Sequence, residues 1–258
     1  MPKFKFNNLS NFVAVFFLGA VFFMVSFMTV LAAEAIDSDQ DGLSDNDELN
    51  IYHTNPLLAD TDGDGFDDYT EIYNGYSPRH NYSVKLNSLD SDSDSVPDSW
   101  EIRLATDLLS PDSDGDGFTD SVEINTGNDP RSAEPGVKSK LIKVDIASQS
   151  LAYYFDDIKL EEFPISGGLS YMPTPEGNFT VLDKVPSKTY GGTGFDFYYP
   201  NTKWNLHFTT KYWRYYIHGA YWHNDFGKPK SHGCVNVAYH QMERLYNFAE
   251  IGTEIEII

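Results

Sequence analysis

Four stretches of this chain place carboxylates in one register, D-x-D-x-D-[GS]-x-x-D-x-x-E. The register is filled by Asp37, Asp39, Asp41, Asp45 and Glu48; by Asp60, Asp62, Asp64, Asp68 and Glu71; by Asp90, Asp92, Asp94, Asp98 and Glu101; and by Asp112, Asp114, Asp116, Asp120 and Glu123. These are positions 1, 3, 5, 9 and 12 of a calcium loop, with carboxylates at 1, 3 and 5, a backbone carbonyl at 7, a direct or water-mediated contact at 9 and a bidentate Glu at 12. Position 6, the sharp turn, is Gly42, Gly65 and Gly117 but Ser95 in the third loop, which predicts a weaker or more strained site there.

The second chemical group is the only cysteine, Cys234. A lone cysteine has no internal disulfide partner, so it is either a buried apolar filler or a thiol kept for reactivity. It stands in Ser231-His232-Gly233-Cys234-Val235-Asn236, after Ile217-His218-Gly219-Ala220-Tyr221-Trp222-His223. A thiol attacks as thiolate, and a neighbouring imidazole lowers its pKa towards neutrality. His207, His223 and His240 read as packed or surface histidines.

Each closing Glu of the acidic register is followed by Leu49, Ile72, Ile102 or Ile124, and most repeats then turn at a Pro, as at Thr54-Asn55-Pro56, Gly75-Tyr76-Ser77-Pro78 and Gly127-Asn128-Asp129-Pro130. This resembles the thrombospondin type 3 calcium repeats of exported bacterial proteins. The resemblance implies structural Ca2+ in place of a hydrophobic core, with the chain wrapped around the ions and little regular structure. Long helices flanking every loop are excluded, because 11 residues separate Glu48 from Asp60, and one short helical turn per repeat is expected. The alternative is a solvated acidic linker held extended by repulsion.

The cysteine segment resembles the L,D-transpeptidase catalytic domain, the YkuD family, in its His-Gly followed by Ser/Thr-His-Gly-Cys-hydrophobic-Asn. The likeness extends to Trp222-His223-Asn224-Asp225-Phe226-Gly227, to Phe163-Pro164-Ile165-Ser166-Gly167-Gly168 and to Thr174-Pro175-Glu176-Gly177-Asn178-Phe179. It implies Cys234 as nucleophile, His218 as its base or ion-pair partner and the Gly219 carbonyl as the group orienting His218. Ser231, His232 and Gly233 complete the motif, with His232 positioning substrate and the backbone N–H groups around His232, Gly233 and Cys234 as oxyanion donors. Trp222, Asn236 and Tyr190 are expected to touch substrate. The implied substrate is the stem peptide of peptidoglycan, joined through a thioester into cross-links between third residues, with no cofactor in catalysis. Hydrolysis of the same thioester or of a cross-link, and a non-catalytic calcium-dependent wall-binding module, are the rival readings.

The elements that must position these groups divide by charge. The net charge is -21, which repels a phosphate backbone and argues against nucleic acid as a partner. Residues 34–136 hold 26 acidic and 4 basic residues, leaving 13 acidic and 14 basic elsewhere, so one region carries the whole excess. Residues 36–136 are therefore read as the calcium arm and 137–258 as the catalytic domain. The latter alternates as strands do, at Ile142, Val144 and Ile146, at Leu151, Tyr153 and Phe155, and back through Leu160 and Phe163 after a turn at Asp156-Asp157. Further strands are expected at 179–182, 195–199, 204–209, 215–218 and 254–258, a helix at 238–251, and a mobile Gly-rich loop at Tyr190 to Gly194. The fold class is mainly β, a sandwich-type domain with one packed helix. Phe12 to Ala33, uncharged and apolar behind Lys3 and Lys5, is long enough to cross a bilayer. Residues 1–35 are thus a signal peptide or a transmembrane anchor, and the rest is expected outside the cytoplasm, anchored to the membrane or secreted to the wall, with the arm as a calcium-stiffened spacer.

Overall fold

The computed structural model describes residues 35–194, 197–210 and 214–258. The apolar run at Phe12 to Ala33 lies outside them, and among the described residues no helix is long and apolar enough to cross a membrane.

Alternation of apolar and polar residues builds the first sheet. Ile142 and Val144 of β1 (Lys140–Asp145) and Leu151, Tyr153 and Phe155 of β2 (Ser150–Phe155) are buried, and Asp156, at φ 52°, turns the chain into β3 (Ile158–Pro164). With β4 (Gly177–Thr180) and β9 (Glu254–Ile257) the order is β3-β2-β1-β9-β4, parallel only between β1 and β9. The second sheet runs β5 (Asp183–Gly191), β6 (Tyr198–His207), β7 (Tyr216–Ala220), β8 (Val235–Ala238), with β7 and β8 parallel.

The second sheet departs from expectation in two places. β5 includes Tyr190 and Gly191, where a loop was expected; its mostly polar sequence, with Pro186, marks an edge strand that periodicity does not reveal. β6 is one strand rather than two, with Asn201 and Trp204 at positive φ breaking its alternation. The helix is α5 (Tyr239–Phe248), shorter than expected because Ala249 turns extended; it buries Met242, Leu245 and Phe248.

The repeats are more regular than expected. α1 (Asp45–Asp47) runs into a π-turn at Glu48–Tyr52, while α2 (Asp68–Asn74), α3 (Asp98–Leu104) and α4 (Asp120–Thr126) each span seven residues, about two turns. Side-chain caps at Asp67 and Thr119 start α2 and α4, and left-handed Gly75 and Gly127 stop them. Each of these helices opens with the position-9 Asp and carries the position-12 Glu three residues on, on the same face.

Residues 35–258 form one compact unit. Val96, Trp100, Leu104 and Ile124 of the repeats lie in the same buried cluster as the strands and α5. The arm is therefore packed on the C-terminal domain, not a spacer standing clear of it. The physical reason is an apolar face on α3 and α4 that the calcium register does not use.

Candidate active site and calcium loops

Cys234 is the residue before β8. Val235 pairs with Ile217 and Asn236 with His218, so the parallel register of β7 and β8 brings the thiol alongside the histidine strand. Cys234, His218, Ser231, His232, Trp222, Asn236 and Tyr190 line one pocket of about 80 Å3, with Phe197, Tyr199 and Lys230. A larger hollow of about 770 Å3 lies along Pro175–Thr180 and Phe208–Thr210, sharing Tyr215 with the back of the cysteine turn. The smaller pocket is the one that holds the thiol.

His218 is buried on β7, and its Nδ1 lies 3.0 Å from the Gly219 carbonyl oxygen. A carbonyl only accepts, so Nδ1 carries the proton and Nε2 keeps its lone pair. The ring stacks on Tyr190 at 4.5 Å; the Tyr190 hydroxyl donates to Asn205 Oδ1 at 2.8 Å. Asn205 is itself fixed, donating to the Val185 and Thr202 carbonyls at 2.8 and 3.0 Å. Asn205 and the strand β5 were not anticipated; the one sequence signal for them was Tyr190.

Burial pushes His218 down to about 4, against the opposing Gly219 carbonyl, and pushes the Cys234 thiol up to about 11, against the Tyr216 backbone and Lys188. The resting pair is therefore neutral thiol and neutral imidazole. For both groups desolvation by burial is the largest cause.

The turn before the thiol is tied internally. Ser231 Oγ donates to the Cys234 carbonyl and accepts from the Gly233 N–H at 3.1 Å. The Gly233 N–H is thus spent on Ser231, leaving those of His232 and Cys234 as the turn's candidate oxyanion donors. Gly233 sits at φ 107°, and a Cβ there would lie 2.3 Å from the Tyr215 ring, so only glycine fits. The Phe163–Gly168 segment runs beside this turn: Ser166 and Asn236 exchange backbone bonds of 2.9 Å, and the Leu169 N–H donates to the Ser231 carbonyl at 2.9 Å.

Around the pocket the aromatics form a wall. Trp222 stacks on Tyr199 at 3.9 Å, Tyr199 on Phe197 at 5.5 Å, and Phe197 on His232 at 5.0 Å. His223, expected as a packed or surface residue, reaches Asn236 at 3.1 Å and accepts the Asp225 N–H on Nδ1 at 3.2 Å. The Asn236 atom that faces its Nε2 is the amide nitrogen Nδ2. His207 lies beside Arg214 and Tyr216, and His240 is exposed.

In the acidic loops the carboxylates at positions 1, 3 and 5 offer oxygens within 4.8 Å of one another in all four repeats. Buried oxygens without hydrogen-bond partners occur at position 3 of every loop and at position 12 of every loop, on Asp39, Asp62, Asp92 and Asp114 and on Glu48, Glu71, Glu101 and Glu123. Burial, followed mainly by neighbouring carboxylates, pushes Glu71 up to about 8 and Glu101 up to about 10. Convergent buried carboxylate oxygens with no donor facing them fit a hard divalent cation such as calcium.

Position 9 behaves otherwise. Both oxygens of Asp45, Asp68, Asp98 and Asp120 accept hydrogen bonds of 2.7 to 2.9 Å from the N–H and hydroxyl of Ser38, Thr61, Ser91 and Ser113. These aspartates clasp position 2 to the helix start. The signal for this clasp was present as D-[ST]-D in every repeat, and the position-1 aspartates Asp37, Asp60 and Asp112 likewise accept backbone N–H bonds on both oxygens. Ser95 adopts φ 84° and its loop closes like the others, its N–H donating to Asp90 at 3.2 Å.

Residues 139–257 match the family model described as the L,D-transpeptidase catalytic domain, YkuD, and residues 37–59 and 112–133 match that of the bacterial TSP3 repeat. No curated protein matches the chain. Similar solved structures include an L,D-transpeptidase from Mycobacterium smegmatis, 24% identical over 47% of this chain and 59% of that one, with a TM-score of 0.44. An Enterococcus faecium L,D-transpeptidase is 26% identical over 49% of this chain and 52% of its own, with a TM-score of 0.42. L,D-transpeptidase 3 from Mycobacterium tuberculosis is 19% identical over 49% and 65%, with a TM-score of 0.44. The match thus spans less than two thirds of each of these structures. Residues 139–257 thus carry the match to the L,D-transpeptidase catalytic domain, YkuD, and the two segments that match the bacterial TSP3 repeat precede them in the chain.

Proposed function

We propose that this chain is a peptidoglycan L,D-transpeptidase with Cys234 as nucleophile and His218 as base. The observation that carries the reading is the His218 Nδ1 contact to the Gly219 carbonyl, which leaves Nε2 as a neutral base in the pocket that holds the only thiol. As substrate binds, the Cys234 sulfur attacks the carbonyl of the third stem residue and its proton passes to His218 Nε2. The oxyanion is held by the N–H groups of His232 and Cys234. The C–N bond then breaks, His218 returns the proton to the departing amine, and the terminal D-Ala leaves. The side-chain amine of a second stem attacks the thioester, giving up its proton to His218, and the thiol is restored with a cross-link between third residues. Asn236, Trp222 and the face of Tyr190 shape the substrate path, and His232 lies on the aromatic wall where it positions the peptide.

Calcium takes no part in these steps. Positions 1, 3, 5 and 12 of each repeat would hold it, with position 9 in direct or water-mediated contact, and the ion would supply the positive charge that lets the buried carboxylates ionise without repulsion. Residues 1–35 export or anchor the chain, so the domain works on the wall outside the cytoplasmic membrane.

Intact-mass spectrometry of the full chain with a disaccharide-tetrapeptide tests the nucleophile. A thioester adduct on wild type, absent from Cys234→Ala, is expected. An adduct of the same size on Cys234→Ala would refute the assignment. Water in place of the amine would give a shortened monomer, the carboxypeptidase outcome.

A further inference from the structure

The hydrophobic core of the catalytic domain is not closed by that domain's own residues. Trp100 of α3 is 5% exposed, and its ring meets Tyr153 of β2 at 5.6 Å and Phe248 of α5 at 6.2 Å, both edge-on. Ile124 of α4 is 1% exposed in the same cluster. Two polar ties reinforce the apolar contact. Arg103 Nη1 donates to the Lys159 carbonyl at 2.9 Å, and Lys140 Nζ donates both to the Asn125 carbonyl of the fourth repeat at 2.9 Å and to the Phe248 carbonyl at 2.7 Å.

The residues that plug the core are chain neighbours of calcium-loop residues. Trp100 precedes Glu101, both of whose carboxylate oxygens are buried without hydrogen-bond partners, and Ile124 follows Glu123. The third and fourth loops are also joined, the Ser121 N–H donating to Asp94 at 2.9 Å.

α5 leads from this plug to the catalytic histidine. Its last residue, Phe248, touches Trp100, and its first, Tyr239, lies against Gly219, where an added Cβ would meet the Tyr239 ring at 2.6 Å. The Tyr239 hydroxyl accepts the Lys203 N–H at 3.2 Å. A ten-residue helix is about 15 Å of stiff backbone, so its two ends move together.

We propose that the third and fourth calcium loops are structural parts of the enzyme: calcium seats Trp100 and Ile124 against the catalytic domain, and that packing holds α5 and, through Tyr239, the Gly219–His218 pair. Trp100 is on this account a positioning residue for the reaction. The inference rests on the reading of the repeats as calcium-binding. Without calcium the convergent carboxylates of the third loop repel, α3 loosens, and one wall of the catalytic core opens with it.

Hydrogen exchange of the full chain in millimolar calcium and in chelator tests this. Calcium is expected to slow exchange in α5 and β2 by about tenfold or more, beyond its effect on the repeats. Glu101→Gln should abolish the slowing in α5 while α2 keeps its calcium-dependent protection. Trp100→Phe should retain more of the α5 protection than Trp100→Ala. Equal α5 and β2 exchange with and without calcium, while the repeats lose protection in chelator, would overturn the coupling and leave the calcium reading standing. No calcium effect on any repeat would overturn both.

Discussion

The thiol and imidazole define the residue scale. Burial pushes Cys234 up to about 11 and His218 down to about 4, which predicts a neutral pair before substrate arrives. Thiolate absorbance at 240 nm should therefore appear only above about pH 10 and be absent in Cys234→Ala; thiolate already present at pH 6 would show a preformed ion pair. That His218 and Cys234 belong together was legible in the sequence, from the His-Gly and Ser-His-Gly-Cys motifs, and they line one pocket. Their protonation state was not, since it depends on how many neighbours exclude water from the site. Asn205 was equally hidden: its link to Tyr190 depends on a polar edge strand that carries no alternating signal.

At the scale of elements, the calcium register was legible because ligand spacing is local. The clasp within it was less so: the tie from Asp98 and its equivalents to position 2 shows only in the folded chain. Ser95, in a left-handed turn at φ 84°, carries a backbone cost that glycine avoids. Ser95→Gly should raise the calcium-loaded Tm by about 2 °C, corresponding to about 0.5–1 kcal/mol after the greater chain entropy of glycine is deducted. An unchanged or lower Tm in calorimetry would mean the loop accommodates serine without strain. α3 shows why tertiary packing escaped the sequence: Trp100 sits among residues read only as calcium ligands and spacers, and its partner Tyr153 is 53 positions away.

For the whole molecule, charge and calcium govern stability together. Glu48, Glu71, Glu101 and Glu123 are raised from 4.5 to about 7, 8, 10 and 7, by burial first and largely by neighbouring carboxylates after it. Because the folded pKa values lie above the unfolded ones, the calcium-free fold binds more protons than the unfolded chain, and its stability falls as pH rises through them. The Tm in chelator should drop between pH 5 and pH 8. With saturating calcium the drop should vanish or reverse, because the metal takes the place of the protons. A calcium-free Tm that rises with pH would contradict this account of the buried carboxylates. The acidic half thus packs as a wall of the C-terminal core, a relation that the sharp boundary in charge near residue 136 concealed.

The central claim is that Cys234 transfers a stem peptide to an amine. Mass spectrometry of the products formed by the full chain from a disaccharide-tetrapeptide tests it most directly. The account predicts a dimer lacking one D-Ala, formed by wild type and not by Cys234→Ala. A dimer formed equally by both, or a wild-type chain that yields only shortened monomer, would contradict it.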